Sequence, residues 1–231
     1  RLPSGLLATC GVLAVFWLGR SIISRTGSFL AAFILLTSPL YVWQAHSGRI
    51  DMTLSFFVTL GLLAFFSGYG QGQQGDEHRS GRPCLWFLSL YTSLTLAVLT
   101  KGPVGAVLIL LPIFFFLCWR REFHWFRLFF RPVPFLVCSL VILSWYGGAL
   151  LEGGSNIWQT QILTENLARF AGSIDTTSPF YYIEPVLSMF APWSLVLPFA
   201  LWQAVKERED QPGPFFLAVW WITIVLFFQF A

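Results

Sequence analysis

Between Lys101 and Arg120 the chain reads Gly102-Pro-Val-Gly-Ala-Val-Leu-Ile-Leu-Leu-Pro-Ile-Phe-Phe-Phe-Leu-Cys-Trp119, with no charged side chain inside the run. A helix that crosses the hydrocarbon core of a bilayer needs ~20 mostly apolar residues, within a range of about 17–25. This run has that length, and its charges stand at the borders. Working outward in both directions gives runs at 3–19, 28–47, 52–69, 84–100, 102–119, 133–150, 181–203 and 214–231. Backbone N–H and C=O groups in hydrocarbon must be satisfied within the segment, so runs of this length are helices. The period-two alternation of a membrane β-barrel is missing. The predicted fold class is therefore all-α, a polytopic transmembrane helical bundle of about eight spans. It forms one domain over 1–231, with an outer loop at 151–180.

Composition agrees. Of 231 residues, 56% are hydrophobic and 11% are charged, against roughly 25% charged in soluble domains. Aromatic residues make up 18%, and Trp and Tyr concentrate at membrane interfaces. No basic stripe lies outside the short loops, which argues against nucleic acid as a partner. Cys10, Cys84, Cys118 and Cys138 form no CxxC pair. They read as small apolar residues rather than as a disulfide or metal framework. The chain opens on Arg1, no signal peptide precedes the first run, and Phe227–Ala231 lies inside another run. These features predict an internal piece of a longer protein.

Alternating the loops sorts the cations into two sets. One holds Arg20, Arg25, Arg79, Arg82, Arg120, Arg121, Arg127, Arg131, Lys206 and Arg208; the other holds Arg1, Arg49, Lys101 and Arg169. The positive-inside rule assigns the richer set to the cytoplasm. The sparser set then faces the periplasm or exterior. Trp119–Arg131, which mixes Arg with Trp and Phe, reads either as an interfacial segment on anionic lipid or as a plain positive stop signal.

Four clusters on the sparser side could carry chemistry. His46-Ser-Gly-Arg49-Ile-Asp51 is a tight connection. Its Asp51 can accept a proton, hold a cation or order an arginine, or it can simply cap the next helix. In Thr100-Lys101-Gly-Pro103, Lys101 is a compact cation suited to a lipid phosphate, or a side chain that snorkels outward. In Glu165-Asn166-Leu-Ala-Arg169-Phe170, the four-residue spacing lets Glu165 orient Arg169, whose fork fits a phosphate; the plainer alternative is a solvated ion pair. Ser178-Pro-Phe-Tyr181-Tyr182 can line a sugar site or form an aromatic belt.

Taken in order, the motifs resemble the bacterial dolichyl-phosphate-mannose-protein mannosyltransferase family, which includes the lipid A aminoarabinose transferases. The resemblance is carried by Arg1-Leu-Pro-Ser4, Leu18-Gly-Arg20, Leu36-Thr-Ser-Pro-Leu40 with Arg49-Ile-Asp51-Met52, and Leu99-Thr-Lys-Gly-Pro103. It continues through Trp145-Tyr146, Glu165–Phe170, Pro179-Phe-Tyr-Tyr182 and Ala191-Pro-Trp-Ser194. It departs at Ser144, where the family has Pro, and at Thr176, where the aminoarabinose transferases tend to carry His.

The resemblance implies the C-type glycosyltransferase (GT-C) fold with an active site on the outer face. It implies a sugar donor linked to polyprenyl phosphate rather than to a nucleotide, and a lipid, glycan or protein acceptor. Roles follow the matched motifs. Asp51 is a second acid, able to support the base, bind acceptor or hold a divalent metal ion. Lys101, Arg169 and Arg49 grip the donor phosphate. Glu165, Asn166, Tyr181, Tyr182 and His46 line the sugar and acceptor. The family's usual base falls upstream of Arg1. The setting implied is a bacterial inner membrane with the active face in the periplasm, surrounded by membrane lipids. The competing class is a transporter or flippase for a lipid-linked or anionic substrate.

Overall fold

The structure is a computed structural model that describes residues 1–73, 82–153 and 188–230. The described residues form nine α-helices: α1 (Leu2–Leu18), α2 (Arg25–Thr37), α3 (Pro39–Ser47), α4 (Ile50–Gln73), α5 (Arg82–Lys101), α6 (Pro103–Arg120), α7 (Pro132–Gly153), α8 (Leu197–Lys206) and α9 (Pro212–Phe230). Short 3-10 turns lie at Gly19–Ser21, Phe123–Phe130 and Trp193–Leu195.

The breaks follow from local chemistry. Ser38 precedes a proline, which pushes it out of the helical region; its ψ is 117°. Pro39 then opens α3, having no N–H to satisfy. As a result α2 and α3 meet at 61°. Gly48 ends α3 with φ of 67°, the left-handed conformation that glycine adopts without a Cβ clash.

Small residues bring the helices close. The buried residues of α1 are Ser4, Ala8 and Gly11, spaced along one stripe. Gly11 makes room for Tyr41 of α3, whose hydroxyl lies 2.6 Å from where a Cβ would sit. That hydroxyl donates to the Ala8 carbonyl at 2.8 Å. Apolar side chains gain little by leaving lipid for one another, so close backbone approach of this kind drives association in membranes.

The core lies between α4, α5, α6 and α9. Leu62, Phe65, Ile109, Phe116 and Phe216 are fully enclosed there. Phe66, Phe116 and Phe216 pack face and edge, with centroids 5.1 Å apart in the Phe66–Phe216 and Phe116–Phe216 pairs. By contrast α7 turns Leu136, Leu140 and Leu143 outward, as a helix facing lipid or further protein does.

Five described helices are long and apolar enough to cross a membrane, or six if the bent α2–α3 pair is one span. The predicted eight are not reached among the described residues. The 28–47 run is divided at Ser38-Pro39. The 84–100 run is α5, whose apolar part, Leu85–Lys101, is short. The 181–203 run starts outside the described residues, and what remains of it includes the ten-residue α8.

The two sets of loop cations separate in space. At one end Arg1 packs beside Gly48, and Lys101 meets Asp51. At the other, the basic end, Arg208 lies 5.9 Å from the Trp119 ring, and Arg131 lies 5.7 Å from Phe87. There too Tyr69 donates to Glu122 at 3.1 Å, and Arg120 pairs with Glu122 at 3.4 Å.

Candidate functional site

Asp51 and Lys101 are fifty residues apart, yet Lys101 Nζ donates to Asp51 Oδ1 at 2.7 Å. The reason lies in the helices. Asp51 is in the first turn of α4 and Lys101 in the last turn of α5. The two helices run antiparallel, so the positive end of one dipole and the negative end of the other meet on the same side. Each charge sits where its own helix favours it. Their side chains are 38% and 48% exposed. At that exposure the pair adds little stability, in the range of about 0–1 kcal/mol before screening. Its value is geometric: the bond to Asp51 occupies one of three ammonium donors and leaves the others for a ligand.

The motif around Lys101 fixes its position. Gly102 takes φ 73° and ψ −154°, and its N–H donates to the Val98 carbonyl at 2.7 Å. Pro103 then opens α6, so the chain reverses within one residue. A Cβ at Gly105 would collide with the Ala97 carbonyl, which shows how closely α5 and α6 approach. Tyr146 of α7 donates to the Val98 carbonyl at 3.4 Å and braces the same turn.

The rest of the hairpin flanks the pair. The Arg49 guanidinium stacks over Trp43, 5.0 Å from the ring centre. His46 Nδ1 lies 2.8 Å from the Val42 carbonyl. A carbonyl only accepts, so Nδ1 is the donor in this contact. His46 borders a largely apolar cavity of about 680 Å³ with Arg1, Ala8, Val12 and Tyr41. Among the described residues, neither His46 nor Arg49 bonds to Asp51 or Lys101. Glu165, Asn166, Arg169, Tyr181 and Tyr182 lie outside the described residues.

A divalent cation does not fit the described part of this site. Asp51 already faces an ammonium group, and no three His, Cys, Asp or Glu side chains gather among the described residues. Trp43 and Tyr146 were missed as positioning residues by sequence reasoning. Sequence reading gave Trp43 no role and used Tyr146 only within the Trp145-Tyr146 motif; the contacts with Arg49 and with the Val98 carbonyl come from the folded arrangement.

The sequence pattern of the dolichyl-phosphate-mannose-protein mannosyltransferase family matches residues 2–151. That stretch contains His46, Arg49, Asp51 and Lys101, and covers well over half of the chain. The chain belongs to this family. An uncharacterised protein of Aquifex aeolicus is 30% identical over 99% of the chain and 48% of its own length. The undecaprenyl phosphate-alpha-4-amino-4-deoxy-L-arabinose arabinosyl transferase of Pseudomonas paraeruginosa is 30% identical over 99% of the chain and 41% of its own length. Its namesake in Erwinia tasmaniensis is 27% identical over the whole chain.

Crystal structures of ArnT from Cupriavidus metallidurans, in the apo state and bound to undecaprenyl phosphate, superpose with TM-scores of 0.82 at 21% identity. They cover 100% and 99% of the chain and 40% of the ArnT chain in each case. The fold is thus that of the membrane-embedded C-type glycosyltransferases, as the motifs imply. The chain spans less than half the length of the curated relatives it matches.

Proposed function

We propose that the complete protein transfers a sugar from a polyprenyl-phosphate donor to a lipid, glycan or protein acceptor, at the face of a bacterial inner membrane that opens to the periplasm. The observation that carries this reading is the Lys101–Asp51 pair, a cation with unused donors held at the membrane-bundle end where the charges are sparse. The names of the arabinosyl transferase relatives support a polyprenyl-phosphate donor.

In this reaction the bond between the sugar's anomeric carbon and the phosphate oxygen breaks. The acceptor oxygen or nitrogen bonds to that carbon, and the polyprenyl phosphate leaves with added negative charge. Lys101 takes up that charge, which is larger in the transition state than in the ground state. Asp51 aims the ammonium group. Arg49 and Arg169 complete the phosphate grip, and Glu165, Asn166, Tyr181, Tyr182 and His46 line the sugar and acceptor. The acceptor gives up its proton to a general base. A lipid donor suits a site at the interface, because its prenyl tail never leaves the bilayer.

The test is transfer of label from a radiolabelled polyprenyl-phosphate sugar by the full-length protein carrying Asp51→Asn, Lys101→Ala or Arg169→Ala. Each variant is expected to lose most activity. Near-normal transfer by all three would overturn the assignment.

A further inference from the structure

The basic end holds a cavity that the transfer reaction does not use. It has a volume of about 790 Å³, and its lining includes Arg20, Ser21, Ser24, Tyr69, Gln211 and Gly213. Four separate segments build it: the Gly19–Ser21 turn, the start of α2, the end of α4 and the start of α9.

Arg20 is its cation. The guanidinium carbon lies 4.3 Å from the centre of Phe16 and 4.7 Å from that of Trp17. These rings hold the charge without satisfying its N–H donors. The Arg20 Nε is buried and has no hydrogen-bond partner. No carboxylate forms an ion pair with Arg20 among the described residues. A buried guanidinium donor with no acceptor is a cost that an anionic ligand would remove.

The walls mix polar and apolar groups, and the polar ones are preset. Ser21 Oγ donates to the Leu18 carbonyl at 2.6 Å and lies 2.7 Å from Ser67 Oγ, which ties the turn to α4. Ser24 caps α2 by accepting from the Gly27 N–H at 3.1 Å. The α9 side is set by Gly213, where a Cβ would collide with the Ile22 carbonyl. The nearby carboxylate, Glu207, is engaged by Gln211 at 2.8 Å and Gln203 at 3.3 Å. Both α2 and α9 begin at the cavity, so their positive dipole ends add to the Arg20 charge. Beside Arg20, Trp17 is 62% exposed.

We infer that this cavity binds a phosphoryl group, and that its occupant is the headgroup of an anionic phospholipid in the leaflet at the basic end, seated on Arg20. The inference rests on the membrane reading of the bundle and not on the transfer reaction. It therefore stands or falls separately from the assignment of Asp51 and Lys101.

The experiment uses full-length protein in nanodiscs of phosphatidylcholine, with and without phosphatidylglycerol, and counts retained lipid by native mass spectrometry. Wild type is expected to retain phosphatidylglycerol. Arg20→Gln is expected to hold it about tenfold more weakly, the scale of one lost charge-assisted contact to phosphate. Arg20→Lys keeps the charge but not the fork, and should fall between the two. Lys206→Gln, on α8 and outside the cavity lining, should change little. Thermal unfolding in pure phosphatidylcholine shows that each variant is folded. A parallel titration with inorganic phosphate in neutral detergent separates the sources. Binding there that Arg20→Gln abolishes would keep the phosphoryl site but assign it to a soluble phosphate. Undiminished retention by Arg20→Gln and Arg20→Lys, or an equal loss with Lys206→Gln, would overturn the site.

Discussion

At the scale of single residues, the pair at the sparse end has a consequence that separate substitutions cannot reveal. If Asp51 acts by aiming Lys101, its effect exists only while Lys101 is present. Lys101→Ala in the full-length protein is expected to lower transfer by ~10²–10³-fold, the usual loss when one donor to a developing charge is removed. Asp51→Asn should cost less, about tenfold, because the ammonium group remains but is no longer held. The double variant should match Lys101→Ala alone, and a cycle of kcat/KM values measures this. Additive losses would mean that Asp51 acts on the acceptor or base directly. The sequence made both residues visible as isolated charges beside helix starts and ends. Their contact was not legible, because it arises from the antiparallel return of α5 beside α4. The backbone at Gly102 explains why a glycine joins Lys101 to Pro103. A side chain at φ 73° and ψ −154° is strained, by roughly 1–3 kcal/mol. Gly102→Ala should therefore reduce thermal stability and displace Lys101, seen as lower Tm and raised KM for donor together.

At the scale of elements, apolar length located helices well and located their breaks poorly. The run 28–47 reads as one span because Leu, Phe, Val and Trp continue on both sides of Ser38-Pro39. The proline rule was available there, but proline inside membrane helices is often tolerated, as Pro112 is within α6. Ser38-Pro39 opens the break, and the 61° turn is held by the docking of α3 against α1, through Tyr41 and the groove left by Gly11. That contact joins positions thirty apart and has no signature in local hydropathy. It yields a direct test. Gly11→Ala places a methyl group against the Tyr41 hydroxyl and should destabilise the detergent-solubilised protein by roughly 1–3 kcal/mol. Tyr41→Phe should cost less, about 0.5–1.5 kcal/mol for the lost hydrogen bond. In the double variant the methyl group meets no hydroxyl, so the combined loss should be smaller than the sum. Additive losses in thermal unfolding would show that Gly11 and Tyr41 do not act as one contact.

At the scale of the whole molecule, the strongest inference from sequence was sidedness, and it survives the change in span count. Ten loop cations fell on one side and four on the other by alternation alone. The three-dimensional contacts reproduce the division wherever the residues are described. Arg1, Gly48, Asp51 and Lys101 gather at one end, and Arg20, Trp119, Arg131 and Arg208 stand at the other. Agreement survives because dividing the 28–47 run does not change which end the chain leaves from: α2 and α3 together still carry it from the basic end to the Asp51 end. A true error in parity would have scattered these contacts. The positive-inside rule then converts the ends into faces, and that step is testable in cells. In full-length protein with its native cysteines replaced, Ile50→Cys should react with a membrane-impermeant maleimide in intact spheroplasts. Arg127→Cys should react only after permeabilisation. Both side chains are exposed, so neither result turns on burial within the described residues. The reverse pattern would invert the bundle and put the Asp51–Lys101 pair on the cytoplasmic face, where a periplasmic acceptor could not reach it. Labelling of both from one face would break the alternation itself.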